Sequence, residues 1–396
     1  MSKLGEICKI SSSKRIFENE YQESGVPFIR GQEISDGSLL SNSCFNCYIA
    51  KERFNEIKNK YGVPKKGDIL ITAVGTIGNV CFLNKDIDFY FKDGNVLWIK
   101  NFSDNVVPEY LYFYLKSPFF KKTIGHSLIG AVQKALTMQM LSEIDIQLPP
   151  IEYQKSVVTI LKSIEDKISN NNKINAELES LAKTIYDYWF LQFEFPNEEG
   201  KPYKSSGGKI VWNEDLKREI PEGWAVKKLN SIANLYQPEI LPSNLMKEDG
   251  KYFVYGANGI VGRYNKFNHE HPEIAICCRG ASCGNYLMTL PKSWITGNSM
   301  VVTPKDSSVT KEYLYHSLRY IDIKRYVTGS AQPQITRSNL DGIKVVIPPF
   351  KSLEHFSNKA EKIRNELIKN INENNELSSL RDFLLPMLMN GQVQFK

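Results

Sequence analysis

Two long stretches of this chain keep the same numbering distance from end to end. One is "IEYQKSVVTILKSIEDKISNNNKINAELESLAKTIYDYWF" at 151–190, the other "FKSLEHFSNKAEKIRNELIKNINENNELSSLRDFLLPMLM" at 350–389. At an offset of 199, Leu178 falls on Leu377 and Leu181 on Leu380. Each stretch opens after a Pro-Pro pair (149–150 and 348–349), which breaks a strand and starts a helix. Forty helical residues at about 1.5 Å each make a rod of roughly 60 Å. Apolar positions recur on a heptad-like seam: Val157, Leu161, Ile164, Ile168, Leu178, Ala182 and Ile185. The second seam runs Phe356, Ala360, Ile363, Leu367 and Leu377. Asn171 and Asn175 interrupt the first seam where Asn370 and Asn374 interrupt the second. Such asparagines weaken an apolar interface but fix its register when they pair across it. The other reading is that the seam bends outward there and leaves them in water.

The segments before these helices also repeat. "EYLYFYL" (109–115) returns as "EYLYHSL" (312–318), and "GNVLWI" (94–99) as "GNSMVV" (297–302), both at an offset of 203. "TAVGTIGNVCF" (72–82) faces "CCRGASCGNYL" (277–287), sharing the Gly-Asn pairs 78–79 and 284–285. "VPFIRG" (26–31) sits opposite "YFVYGA" (252–257), and "GAVQKALTMQMLSEIDIQLPP" (130–150) opposite "GSAQPQITRSNLDGIKVVIPP" (329–349). Five blocks in one order are a duplication. Offsets drift among the loops and hold constant in the helices, so helix length is the constrained quantity.

Each repeat mixes short strands such as "DILITAVG" and "EIAICCRG" with the EYLY helix, which predicts an α+β domain. The expected order is a domain at 1–150, a spacer helix at 151–191, a connector at 192–221, a second domain at 222–349, and a second spacer helix with the C-terminus at 350–396. The fold class is therefore two pseudo-symmetric α+β domains separated by two long coiled-coil helices. "FEFPNEEGKPYKSSGGKIVWNEDLKREIPEG" (193–223) reads as exposed, from its Gly, Pro, Ser and charge. About 30 connector residues at roughly 3.3 Å each span a parallel or an antiparallel helix pair. Two-fold symmetry favours antiparallel.

Catalytic signatures are missing from the sequence. Cys44 and Cys47 form one CxxC pair without a second, and His269 and His271 are spaced wrongly for one helical face. "GGKI" (207–210) lacks the hydroxyl residue of a phosphate loop, and "YGANGIVG" (255–262) lacks the GxGxxG order. Amino-methyltransferases of DNA carry a polar residue before Pro-Pro that holds the target amine. Leu148 and Ile347 stand in that place here and cannot accept the bond. The sequence reading therefore expects no metal, no cofactor and no activity of its own. Seven cysteines without a secretory leader predict reduced thiols and a cytoplasmic protein. No apolar run reaches the roughly 18 residues of a membrane helix. A net charge of +6 permits an anionic partner.

The "G-x-x-Q … PP" segments leading into long helices, the ending "ESLAKTIYDYWF" and the connector "GKPYKSSGG … EIPEGWAVKKL" resemble the specificity (S) subunits of type I restriction–modification enzymes. The resemblance covers essentially the whole chain. It implies two target-recognition domains, each reading half of a bipartite double-stranded DNA target. The helices would set the gap and dock two methyltransferase subunits, with restriction/translocase subunits as further partners. Adenine methylation and cleavage would belong to those partners, with no catalytic residue in this chain. The alternative is a duplicated protein-interaction scaffold without sequence-specific DNA reading.

Base reading needs donors and acceptors on rigid turns. The candidates are Arg30, Gln32, Thr76, Asn79, Gln133 and Lys134 in the first domain. In the second they are Arg263, Arg279, Ser282, Asn285, Gln332, Gln334 and Arg337. Asn79 and Asn285 have a competing role, since Gly-Asn makes a good turn. Gln133 and Gln332 occupy matching places, which suits a shared scaffold or phosphate contact. Lys134 faces Pro333, and such differing positions suit discrimination.

Overall fold

The computed structural model describes residues 2–35, 37–41, 45–127, 135–256, 259–329 and 332–393. The chain forms two units: Met1–Asn170 with Glu373–Lys396, and Asn171–Asn372. Each unit thus combines a globular domain with part of both long helices.

In the first unit, Lys9–Ser11, Val96–Lys100, Ile69–Thr72 and Val80–Phe82 form an antiparallel sheet in that order. Ile69, Leu70, Ile71 and Thr72 are all buried, the mark of a strand covered on both faces. A second sheet orders Tyr21–Gln22, Tyr48–Ile49, Val26–Ile29 and Tyr90–Phe91, its last pair parallel. The second unit repeats this plan. Ala233–Tyr236, Ser299–Pro304, Ile274–Cys277 and Tyr286–Met288 pair in the same order. Tyr252–Gly256 again pairs in parallel, with Trp294–Ile295. In each unit a two-stranded ribbon joins the start of the domain to the strand before Pro-Pro: Ser2–Lys3 with Asp145–Ile146, and Ala225–Lys228 with Lys344–Ile347. The duplication read from the sequence is therefore a duplication of strand order.

The two EYLY helices start differently. Pro108 opens Pro108–Lys116 at a position where a missing N–H costs nothing. Thr310 caps Lys311–Leu318, its hydroxyl accepting from the Tyr313 N–H at 3.3 Å. Both bury the first Tyr-Leu pair, Tyr110-Leu111 and Tyr313-Leu314. The joints between domain and long helix carry opposite signs. In the first unit Lys116 of the domain meets Glu165 of the helix at 2.7 Å. In the second, Glu312 of the domain meets Arg364 of the helix at 2.5 Å, and Arg364 stands 199 positions after Glu165.

The long helices are Ile151–Tyr186 and Phe350–Met389. Within the first unit the Tyr153 hydroxyl lies 3.0 Å from the carbonyls of Leu388 and Val393, and Lys167 pairs with Glu373 at 3.4 Å. Within the second, the Asn370 amide donates to Asn175 Oδ1 at 2.9 Å, Ala182 packs with Ile363 and Leu367, and Tyr186 meets Phe356 edge-on. Numbers rise on one helix as they fall on the other, so in each unit the helical segments run antiparallel. Asparagine pairing across the seam, expected from the sequence, is present.

Most of the connector is exposed or half-buried, as its composition predicts, but it is anchored at both ends. After one π-helical turn at Asp187–Leu191, Phe193, Phe195 and Trp224 are buried and join the core of the second unit. Tyr203 stacks on Phe195 at 4.6 Å, and Ile210–Asn213 pairs with Arg218–Pro221 as a hairpin. Two rings of the connector, Phe193 and Phe195, with Trp224 just beyond its end, tie it to that core through their large apolar area.

Among the buried groups of the second unit, His316 ties stability to pH. His316 is 4% exposed, stacked on Tyr186 and edge-on to Phe356, with Nδ1 unpartnered among the described residues. Burial, then the Arg319 and Arg364 charges, hold its pKa down to about 3. An unfolded histidine titrates near 6.5. Between these values the unfolded chain binds a proton that the folded chain refuses, so stability falls as pH drops through that window. Relative to His316→Phe, the wild-type chain should lose about 2 kcal/mol more between pH 7 and pH 5 in chemical unfolding. Parallel loss in both chains would refute this account.

Candidate nucleic-acid interface

The same hairpin turn joins the last two strands of the four-stranded antiparallel sheet in each unit. In the first unit, Thr72 N–H donates to the Asn79 carbonyl at 2.9 Å and Gly78 N–H to the Thr72 carbonyl at 3.0 Å. In the second, Cys277 N–H donates to the Asn285 carbonyl at 2.7 Å and Gly284 N–H to the Cys277 carbonyl at 2.9 Å. Gly78 and Gly284 take φ of 87° and 90°, a region that glycine enters without strain. The strand residue after Thr72 or Cys277 is held alike in both: Leu136 N–H donates to the Ala73 carbonyl, and Ile335 N–H to the Cys278 carbonyl. The scaffold is shared, while the loops between, "AVGTIG" and "CRGASCG", differ in length and polarity.

The first unit gathers part of its candidate set. Arg30 N–H donates to Glu33 Oε2 at 2.8 Å, opening the short helix Gln32–Ser35. Ser35 then shares a hydroxyl bond with Thr76 at 2.8 Å, so the Arg30–Gln32 turn and the hairpin loop lie together. Arg30, Gln32 and Thr76 are exposed, and Asn79 is half-buried with its backbone committed to the turn. The Arg30 guanidinium lies close enough to Tyr21 and Cys47 to oppose the upward push of burial on both groups. Gln133 and Lys134 lie outside the described residues.

In the second unit Arg279 and Gln334 bridge as opposed backbone partners, and Gln334 also exchanges bonds with Thr328 at 2.8 and 2.9 Å. Arg337 begins the next helix, capped by Thr336, so Arg279, Gln334 and Arg337 line one groove of about 300 Å³ with Tyr236 and Gln237. Ser282 faces the Cys277 thiol at 3.4 Å, and Gln332 is exposed, outside the groove's lining. Arg263 is placed elsewhere. It pairs with Phe253 across the smaller sheet, its guanidinium 4.2 Å from that ring's centre.

A second, open groove of about 680 Å³ lies at the other end of the 279–285 loop. Asn285 lines it together with Tyr286, Tyr315, Arg319 and Lys324. Burial pushes the Tyr286 hydroxyl up while its bond to Arg319 holds it back. Arg319 and Lys324 escaped the sequence reading; the signal that could have found them is the stretch just after EYLY, where "SPFFKKTI" faces "RYIDIK".

Among the described residues no three His, Cys, Asp or Glu side chains cluster to hold a metal ion. His269 already shares its ring nitrogens with Tyr236 and Asn268, and burial pushes the Cys278 thiol up to about 11. No helix among those residues is long and apolar enough to cross a membrane.

The sequence model of the type I restriction modification DNA specificity domain matches residues 1–180 and 221–376. The chain is similar to the type I restriction enzyme MjaIX specificity subunit of Methanocaldococcus jannaschii, 26% identical over 399 residues, covering 95% of this chain and 88% of that protein. It is also similar to the HindI specificity subunit of Haemophilus influenzae, 23% identical with 98% of each chain covered. Among solved structures, the S subunit of a type I restriction-modification system from M. genitalium superposes with a TM-score of 0.59. That match has 18% identity and covers 98% of this chain and 94% of that one.

Proposed function

The chain belongs to the type I restriction modification DNA specificity domain family, and from that membership we propose that it reads a bipartite duplex target, one half-site per domain. In this reading 1–150 and 222–349 are the target-recognition domains. The observation that carries it is the repeated hairpin: one backbone frame presents Thr76 in one unit and Arg279, Ser282 and Asn285 in the other. Equivalent frames meet equivalent surfaces of a duplex, and differing side chains read different base edges.

The long helices, 151–191 and 350–396, serve as spacer and as docking surface for methyltransferase and restriction subunits. Supporting this, Leu181 and Leu380 are 49% and 46% exposed at matching positions, one in each unit. Two equal apolar footholds suit two copies of one partner. Methyl transfer and cleavage then belong to those partners, in the cytoplasm with the DNA. The test is single-molecule sequencing of methylated bases in cells carrying this chain and its methyltransferase partner. Two fixed half-sites with a constant unspecified gap are expected. A continuous motif would overturn the bipartite reading, and methylation without a motif would favour the scaffold alternative.

A further inference from the structure

The recognition loop of the second unit has a groove at each end. Arg279 opens the loop beside Gln334 and Arg337, and Asn285 closes it beside Arg319 and Lys324. The major groove of DNA is about 12 Å wide and bounded by the phosphates of both strands. A loop that enters it has a sugar–phosphate strand on either side. We propose that Lys324, with Arg319 beside it, binds a backbone phosphate of the half-site read by this unit, on the side opposite Arg337. The inference rests on the reading of this domain as a DNA-recognition domain.

The side chain is built for a charge at this rim. A Cβ placed on Gly284 would lie 3.2 Å from Lys324 Cγ, so the lysine stem covers the hairpin turn. Its ammonium has no carboxylate partner among the described residues, because the neighbouring Asp322 is taken by Arg325 at 2.9 Å. Arg319 is bonded by the Tyr286 hydroxyl. The first unit shows what packing alone requires at this spot. There a Cβ on Gly78 would meet Ile124 Cδ1 at 2.6 Å, and Ile124 is buried. An isoleucine suffices to cover the turn, so the charge on Lys324 is an addition to that packing role.

Lys324→Ile therefore removes the charge and keeps the cover. In the assembled complex with its methyltransferase partner, binding to cognate duplex should be followed against salt concentration. Loss of one phosphate contact lowers the slope of log K against log salt by about 0.9. At low salt the affinity should fall by about three- to tenfold, equally for cognate and mismatched duplexes. Lys324→Arg should restore the slope, and Lys324→Gln should reproduce the loss without an apolar surface. An unchanged slope in both neutral variants would overturn the proposal, as would altered base preference at one position, which would make Lys324 a base reader. A wild-type complex that does not distinguish cognate from scrambled duplex would instead overturn the DNA-recognition reading itself.

Discussion

Exchanging residues 1–150 for the same segment of another family member should switch one half-site and leave the other untouched. Each altered base pair costs about 1–3 kcal/mol, so a half-site changed at three positions should lose the old target by roughly a hundredfold or more. The graft must respect the joint between domain and helix. Glu165 stays with the recipient, and its partner Lys116 leaves with the exchanged segment. A donor without a cation at that place leaves Glu165 to Arg381, 3.9 Å away, and should weaken the joint for reasons unrelated to DNA. A second-domain segment grafted into the first position would bring Glu312 to the place of Glu109 and Arg319 to the place of Lys116, so a cation stays at the joint with Glu165. Methylation sequencing reads the outcome, and a simultaneous change in both half-sites would sink the modular reading.

The second large effect concerns helix length. The pairing of Asn175 with Asn370 places the 172–173 step opposite the 372–373 step. Four residues inserted at both steps add about one turn and roughly 6 Å, keeping the seam nearly in phase. With the helices setting the gap, both half-sites should persist while the unspecified spacing grows by about one or two base pairs at 3.4 Å each. Two residues at both steps rotate the seam by about 200° and should swing Leu178 and Ile185 out of it, abolishing methylation. If both insertions leave spacing and methylation as they were, the helices are docking surfaces and not a ruler.

Much of this architecture was legible in the sequence because duplication supplies an internal control. Five matched blocks marked the strands that later proved to share one sheet order, and the constant offset marked the two helices. Helix direction rested on symmetry alone, which favoured antiparallel, since a connector of that length reaches either end; Tyr153 against Leu388 and Asn175 against Asn370 show it within each unit. Composition marked the exposed stretch of the connector, but it does not show that Phe193 and Phe195 meet Trp224 in a core.

Of the candidate contacts, Arg279, Gln334 and Arg337 come together, as do Arg30, Gln32 and Thr76 near their own loop. Arg263 went to a sheet where it stacks on Phe253. Lys324 was missed for a physical reason. Comparing polar turn with polar turn cannot find a lysine whose counterpart is a buried isoleucine; the stretch after EYLY holds both residues, and packing against the two turn glycines shows the match.

The first unit is assembled from both extremes of the chain. Tyr110, Phe113, Val157 and Leu161 share a cluster with Leu385 and Leu388. On the ribosome, the amino-terminal domain therefore emerges with an apolar stripe that its own neighbours in sequence do not cover. Its cover arrives only after the entire second unit has been translated. The contiguous 171–372 segment is under no such delay, so vectorial synthesis favours completing the second unit before the first. Until then the nascent first half is the part of the protein with most reason to need a chaperone.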